Sequence, residues 1–204
     1  MRYLVTHSLL SSWMWAMKDN PYEDLTTDVR DKAQEFLRVL NREPTPVTPA
    51  MQKGIDFEEL VTDIMFGLAD TKHPWYEAAN KVFNIVRRGS LLQYSAKKNI
   101  TIGGRDFLLY GRIDALRAGV VYDIKYSSNY ERGMFIDGTQ HPMYLELIPQ
   151  AFEFSYVISN GREVWTETYT REETPSIIPV IEDFLKWLEA TDLISIYEEK
   201  WQAA

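Results

Sequence analysis

Apolar residues recur at helical spacing through the first part of the chain and alternate with polar ones through its middle. Residues 8–18 carry Leu9, Leu10, Trp13, Met14 and Met17, with Thr6 or Ser8 as the N-cap and Asn20-Pro21 as the stop. Residues 28–40 set Val29, Ala33, Phe36, Leu37 and Leu40 on one helical stripe, and the break Glu43-Pro44-Thr45-Pro46 follows. A third helix is predicted from Thr48-Pro49, where proline suits the first turn, to about residue 68. A fourth spans 74–87 and ends at Gly89.

The period then changes. Residues 93–101 alternate loosely, and Gly103-Gly104 reads as a turn. Residues 107–125 read as a hairpin around Ala118-Gly119, where glycine supplies the positive φ of a two-residue turn. A second hairpin alternates through Phe152, Phe154, Tyr156 and Ile158 up to Asn160-Gly161. Counting outward from that turn pairs Tyr156 with Trp165 and Phe152 with Tyr169. Between the hairpins, Gln140 to Leu147 reads as a helix, and residues 176–190 and 194–201 form two more. There is no repeat, low-complexity tract or long linker. One domain is expected, with a helical region at 1–48, a core at 49–172 and closing helices at 173–204. This order predicts an α/β or α+β fold, with a mixed central sheet flanked by helices.

Composition narrows the function. Hydrophobic residues make up 45% of the 204 and charged residues 25%, the balance of a globular protein. No apolar run reaches the length of a membrane span, and the first residues lack a signal-peptide pattern, so a cytoplasmic location with no membrane partner is expected. The absence of cysteine excludes disulfides, thiolate zinc sites, a catalytic thiol and a cysteine-ligated iron–sulfur cluster. A net charge of −8 argues against nucleic-acid binding by the whole surface, because phosphate neutralisation needs Lys and Arg. It leaves room for a local groove, or for a site where metal ions supply the positive charge.

The first hairpin carries the candidate chemistry. With a two-residue turn, Arg117 faces Val120, and counting on sets Asp114 opposite Asp123 and Arg112 opposite Lys125, all four on one face. Opposed carboxylates about 4.5–5.5 Å apart at Cβ repel one another. A divalent cation shared between them removes that penalty, and hard oxygen ligands suit Mg²⁺ or Mn²⁺. A solvated, ordinarily charged hairpin face is the alternative. In the third helix Gly54 and Glu58 share a side, and a glycine there suggests close approach by a backbone or ligand. Glu58 lies at the edge of the stripe Phe57, Leu60, Val61 and Ile64, whereas Glu59 and Asp63 point to solvent. Gln140 and Tyr144, four apart, can both point into a site; His141 between them reads as a surface residue with no catalytic role.

Gly54-x-x-x-Glu58, Gly111-x-x-Asp114, Asp123-x-Lys125 and Gln140-x-x-x-Tyr144, in that order, resemble the PD-(D/E)xK nuclease superfamily. The resemblance is to its RecB-like exonuclease branch, which includes phage recombination exonucleases and CRISPR-associated nucleases, and Thr6-His7-Ser8-Leu9-Leu10 resembles the start of such domains. It implies a restriction-endonuclease-like αβββαβ core and a Mg²⁺- or Mn²⁺-dependent deoxyribonuclease. Asp114, Asp123, Glu58 and the Ile124 backbone carbonyl would hold the metal. Lys125 would act on the attacking water and the phosphate, with Asp114, Asp123 and Glu58 completing the catalytic set. Gln140 and Tyr144 would brace the site or contact the DNA backbone, as would Arg112. Many members carry a histidine in the helical motif where this chain offers Glu58, so the number of metals stays open. The substrate implied is double- or single-stranded DNA, cut by an exonuclease in recombination, repair or phage DNA processing, with a recombination partner or a homo-oligomer as the assembly. A non-catalytic or weakly active nucleic-acid-binding accessory subunit of a recombination complex, with the same fold, is the alternative, and RNA is a further substrate class.

Overall fold

Residues Arg2–Thr6 form a strand, β1, which the hydrophobic pattern does not announce. In this computed structural model, residues 1–18, 28–87 and 89–203 are described, with 28–31 as backbone alone. After β1 come α1 (His7–Met17), α2 (Asp28–Leu40), α3 (Pro49–Phe66) and α4 (Tyr76–Val86). Then follow β2 (Leu91–Ile102), β3 (Arg105–Arg117), β4 (Val120–Tyr126), α5 (Gln140–Leu147), β5 (Glu153–Ser159), β6 (Val164–Thr170), α6 (Ile178–Ala190) and α7 (Ile194–Lys200). The helix starts follow their sequence signals. Thr6 Oγ1 accepts the Leu9 N–H and Thr48 Oγ1 the Met51 N–H, both at 3.2 Å, and Pro49 occupies the first turn of α3. The Asn20-Pro21 stop lies outside the described residues.

The six strands make one mixed sheet in the order β1-β3-β4-β5-β6, with β2 also paired to β3. Two hydrophobic layers cover it. On one side Leu9, Leu10, Phe107, Leu109, Phe154 and Phe184 pack with α1, α5, α6 and α7. On the other, Phe57, Val61, Ala79 and Val82 of α3 and α4 pack against Ala115 and Val157. Central β5 is buried on both faces, Tyr156 and Ile158 to the first layer and Val157 to the second. The free edge of β1 is covered by the chain's end: Leu4 N–H donates to the Trp201 carbonyl, and Tyr197 O–H to that of Leu4.

The second hairpin departs from the expected register. Tyr156 faces Glu167, not Trp165, and Tyr169 faces Phe154, not Phe152. Asn160 does not open a two-residue turn; its Oδ1 accepts the N–H groups of Arg162 and Glu163, so the loop spans 160–163. Phe152 is left outside the strand with its ring against Gly119. Helix α5 is almost wholly buried, its C-terminal carbonyls taken up by Arg171, which donates to the Leu145 and Ile148 carbonyls at 2.7 Å. Among the described residues, no helix is long and apolar enough to cross a membrane.

Candidate active site

Strand β3 gives one edge to β2 and divides the other between two strands. Strand β1 pairs in parallel with residues 106–110, and β4 antiparallel with 115–117. Residues 111–114, the Gly-x-x-Asp stretch, fall in the fork between them, and their backbone groups need other partners. Tyr144 O–H donates to the Arg112 carbonyl at 2.9 Å, and Asp114 Oδ2 accepts the Ile124 N–H at 2.8 Å. Gly111 is required by the same packing: a Cβ there would lie 2.6 Å from Tyr144 Cε1 and 2.8 Å from Leu147 Cδ1.

The turn at Ala118-Gly119 is as expected, both residues at positive φ, with Arg117 facing Val120. The pairing does not run on to the aspartates, however. It ends at Ala115 with Tyr122, and β4 continues along β5 instead. Asp114 therefore does not oppose Asp123 in a ladder, nor Arg112 Lys125. Arg112 pairs with Ser95 of β2, and the Asp114 carboxylate takes the place of a backbone acceptor for β4.

Asp123 and Lys125 share a face of β4 and form an ion pair, Nζ to Oδ2 at 2.9 Å. Asp123 is 3% exposed, and Gln140 Nε2 donates to its Oδ1. Its buried Oδ2 receives no well-directed hydrogen bond, the lysine contact notwithstanding. From α3, Glu58 accepts from Gln93 Nε2 at 2.5 Å. Glu58, Gln93, Arg112 and Asp114 line a cleft of about 650 Å³, together with the exposed Glu59 and Asp63. The close approach expected at Gly54 is not found; a Cβ there would meet nothing within 4 Å.

Charge is strained in this cluster. Burial raises the Asp114 carboxyl well above its ordinary range, and the Asp123 and Glu58 charges add to the rise. Glu58 is raised by burial against the pull of the Gln93 hydrogen bond, with Asp123 contributing. Burial works to lower Lys125, but the adjoining Asp123 outweighs it and holds the amine above its usual value. Lys125 is thus an ammonium ion here.

Histidine 7 was not singled out by spacing. It sits where β1 passes into α1, edge-on to the Tyr144 ring at 5.6 Å, and its carbonyl accepts from Thr139 Oγ1. Burial and the Lys125 charge push it down to about 4, so its imidazole is neutral. Its place directly after the Thr6 N-cap, in the first turn of α1, is the signal that could have found it. His141 is buried rather than on the surface, stacked on Tyr169 at 4.1 Å.

The donor set suits a hard divalent cation in its chemistry: three mutually repelling carboxylates and a buried aspartate oxygen short of a directed donor. Each acid is at the same time held by protein donors. Among the described residues, no three His, Asp or Glu side chains stand together as a cluster that could hold an ion.

No family model matches the chain, and no curated protein matches it in sequence. In fold it is similar to the crystal structure of SSO0001, with a TM-score of 0.56 and 16% identity over 92% of this chain and 77% of that one. At that identity the likeness speaks for the fold alone.

Proposed function

We propose that the protein is a Mg²⁺- or Mn²⁺-dependent deoxyribonuclease of the RecB-like PD-(D/E)xK branch, acting as an exonuclease on DNA. The observation that carries the reading is the fork in β3. It sets Asp114, Asp123 and Lys125 near Glu58 of α3, where the Asp123 charge adds to the rise that burial causes in Asp114 and Glu58. The run of α3 and α4 followed by β2-β3-β4-α5-β5 supports an αβββαβ core.

In this reading Asp114, Asp123, Glu58 and the Ile124 carbonyl hold the cation. When bound, that cation would supply Lewis acidity at the scissile phosphate. Lys125, positively charged, neutralises charge developing at the phosphate. Exposed Arg112 meets the DNA backbone, a contact that positions without reading sequence. Gln140 and Tyr144 brace the site: both are buried, one on Asp123 and the other on the Arg112 carbonyl. With a net charge of −8, delivery to DNA by a recombination partner fits better than capture by the whole surface.

The second reading, a weakly active accessory subunit, is favoured by one observation, the lack of a ready-made ion cluster among the described residues. End-labelled linear duplex and covalently closed circular DNA, each with Mn²⁺ and with chelator, separate the cases. Mn²⁺-dependent loss of the linear form alone supports the exonuclease. Nicking of the circle indicates an endonuclease, and no cleavage of either indicates the accessory subunit.

A further inference from the structure

Strand β2 keeps one register against β3 from Leu91 with Leu116 to Ile102 with Arg105, and one position drops out of the ladder. Leu92 pairs with Ala115 and Tyr94 with Ile113, so the missing pair is Gln93 with Asp114. At Gln93 φ is +48°, a left-handed value that a residue with a side chain adopts only under strain.

The flip changes the face that the hairpin presents. Ala96, Ile102 and Ile113 pack in the α1/α5/α6 layer, whereas Leu92 and Ala115 pack in the α3/α4 layer. It also turns the Gln93 amide to α3, where Nε2 donates to Glu58 Oε1 at 2.5 Å across 35 positions of sequence. Glycine or asparagine would accept this backbone more readily. A long amide stands there instead, in the cleft shared by Glu58, Arg112 and Asp114.

We propose that Gln93 is a positioning residue of the cation site: by holding one oxygen of Glu58 it orients that carboxylate for the ion that Asp114 also binds. This rests on the metal-dependent reading above. Partners that hold a ligating carboxylate are typically worth roughly 10–100-fold in metal affinity.

The test is Mn²⁺ titration by calorimetry of the wild type, Gln93→Gly and Glu58→Gln, with thermal unfolding of each in chelator. Gln93→Gly removes the amide while accommodating the positive φ. The expected result is Mn²⁺ affinity weakened roughly 10–100-fold with a chelator Tm equal to or above that of the wild type. Wild-type affinity in Gln93→Gly, with affinity lost in Glu58→Gln, overturns the proposal and leaves the metal site standing. Weakened affinity accompanied by a fall in the chelator Tm also overturns it, since Gln93 then acts only through the fold. Absence of Mn²⁺ binding by the wild type overturns both the proposal and the reading beneath it.

Discussion

Replacing Gly111 by Ala sets a methyl group 2.6 Å from Tyr144 Cε1 and 2.8 Å from Leu147 Cδ1, distances that packed carbon atoms do not tolerate. Overpacking of this kind costs about 1–3 kcal/mol. Tyr144 can yield only by withdrawing from β3, which forfeits its bond to the Arg112 carbonyl, a further contribution of about 1 kcal/mol. The sum is about 2–4 kcal/mol, a fall in Tm of roughly 5–15 °C for a chain of this size. Urea titration followed by tryptophan fluorescence should show a lower midpoint with the slope unchanged. A double-mutant cycle with Tyr144→Ala isolates the clash. Because that variant deletes the ring that the methyl group strikes, the double mutant should be less costly than the summed singles by at least about 1 kcal/mol. Additive effects, or a Gly111→Ala cost below about 0.5 kcal/mol, would refute the claim that close approach by α5 selects glycine here.

Lys125→Ala should lose most DNA cleavage while keeping the rise in Tm on adding Mn²⁺; equal cleavage by the two proteins would remove the lysine from the mechanism. Asp114→Asn should raise the Tm in chelator at pH 7, because burial and its acidic neighbours disfavour the charged form. That advantage should vanish as pH falls below the ordinary carboxylate range, where the wild-type group is protonated in both states. The same variant should lose the Mn²⁺ stabilisation, about 2.7 kcal/mol at a hundredfold excess over Kd. His141 is pushed down from 6.5 to about 4 by burial, so its stabilisation is present above pH 6.5 and lost as pH falls toward 4. The loss amounts to about 2 kcal/mol by pH 5. Imidazole NMR shifts should show His141 neutral at pH 5, and titration near 6.5 would contradict its buried stack on Tyr169.

The helices were legible because their signals are local. Thr48-Pro49, Thr6 and the stripe through Phe57, Leu60, Val61 and Ile64 fix ends and faces without reference to the rest of the chain. The Ala118-Gly119 turn was legible for the same reason, since two positive φ values set its register. Strand β1 was hidden because its pairing with β3 spans about a hundred positions of sequence, beyond anything periodicity reports. Asn160-Gly161 misled by two residues because the Asn160 side chain can cap either a short turn or a longer loop, and only the flanking strands decide. At the candidate site, the residue types and their order pointed to Glu58, Asp114, Asp123 and Lys125. Their mutual geometry did not follow, because extrapolating a ladder assumes that β4 stays beside β3. It parts from β3 after Ala115 with Tyr122 while staying beside β5, and that departure opens the fork. His7 and Gln93 enter the site through this long-range geometry.

The most direct measurement is anomalous diffraction from crystals soaked in Mn²⁺. A peak roughly 2.0–2.3 Å from carboxylate oxygens of both Asp114 and Asp123, with Glu58 turned to the same ion, is the predicted result. Absence of a peak at these residues at millimolar Mn²⁺, with Lys125 still paired to Asp123, would contradict the metal-dependent account.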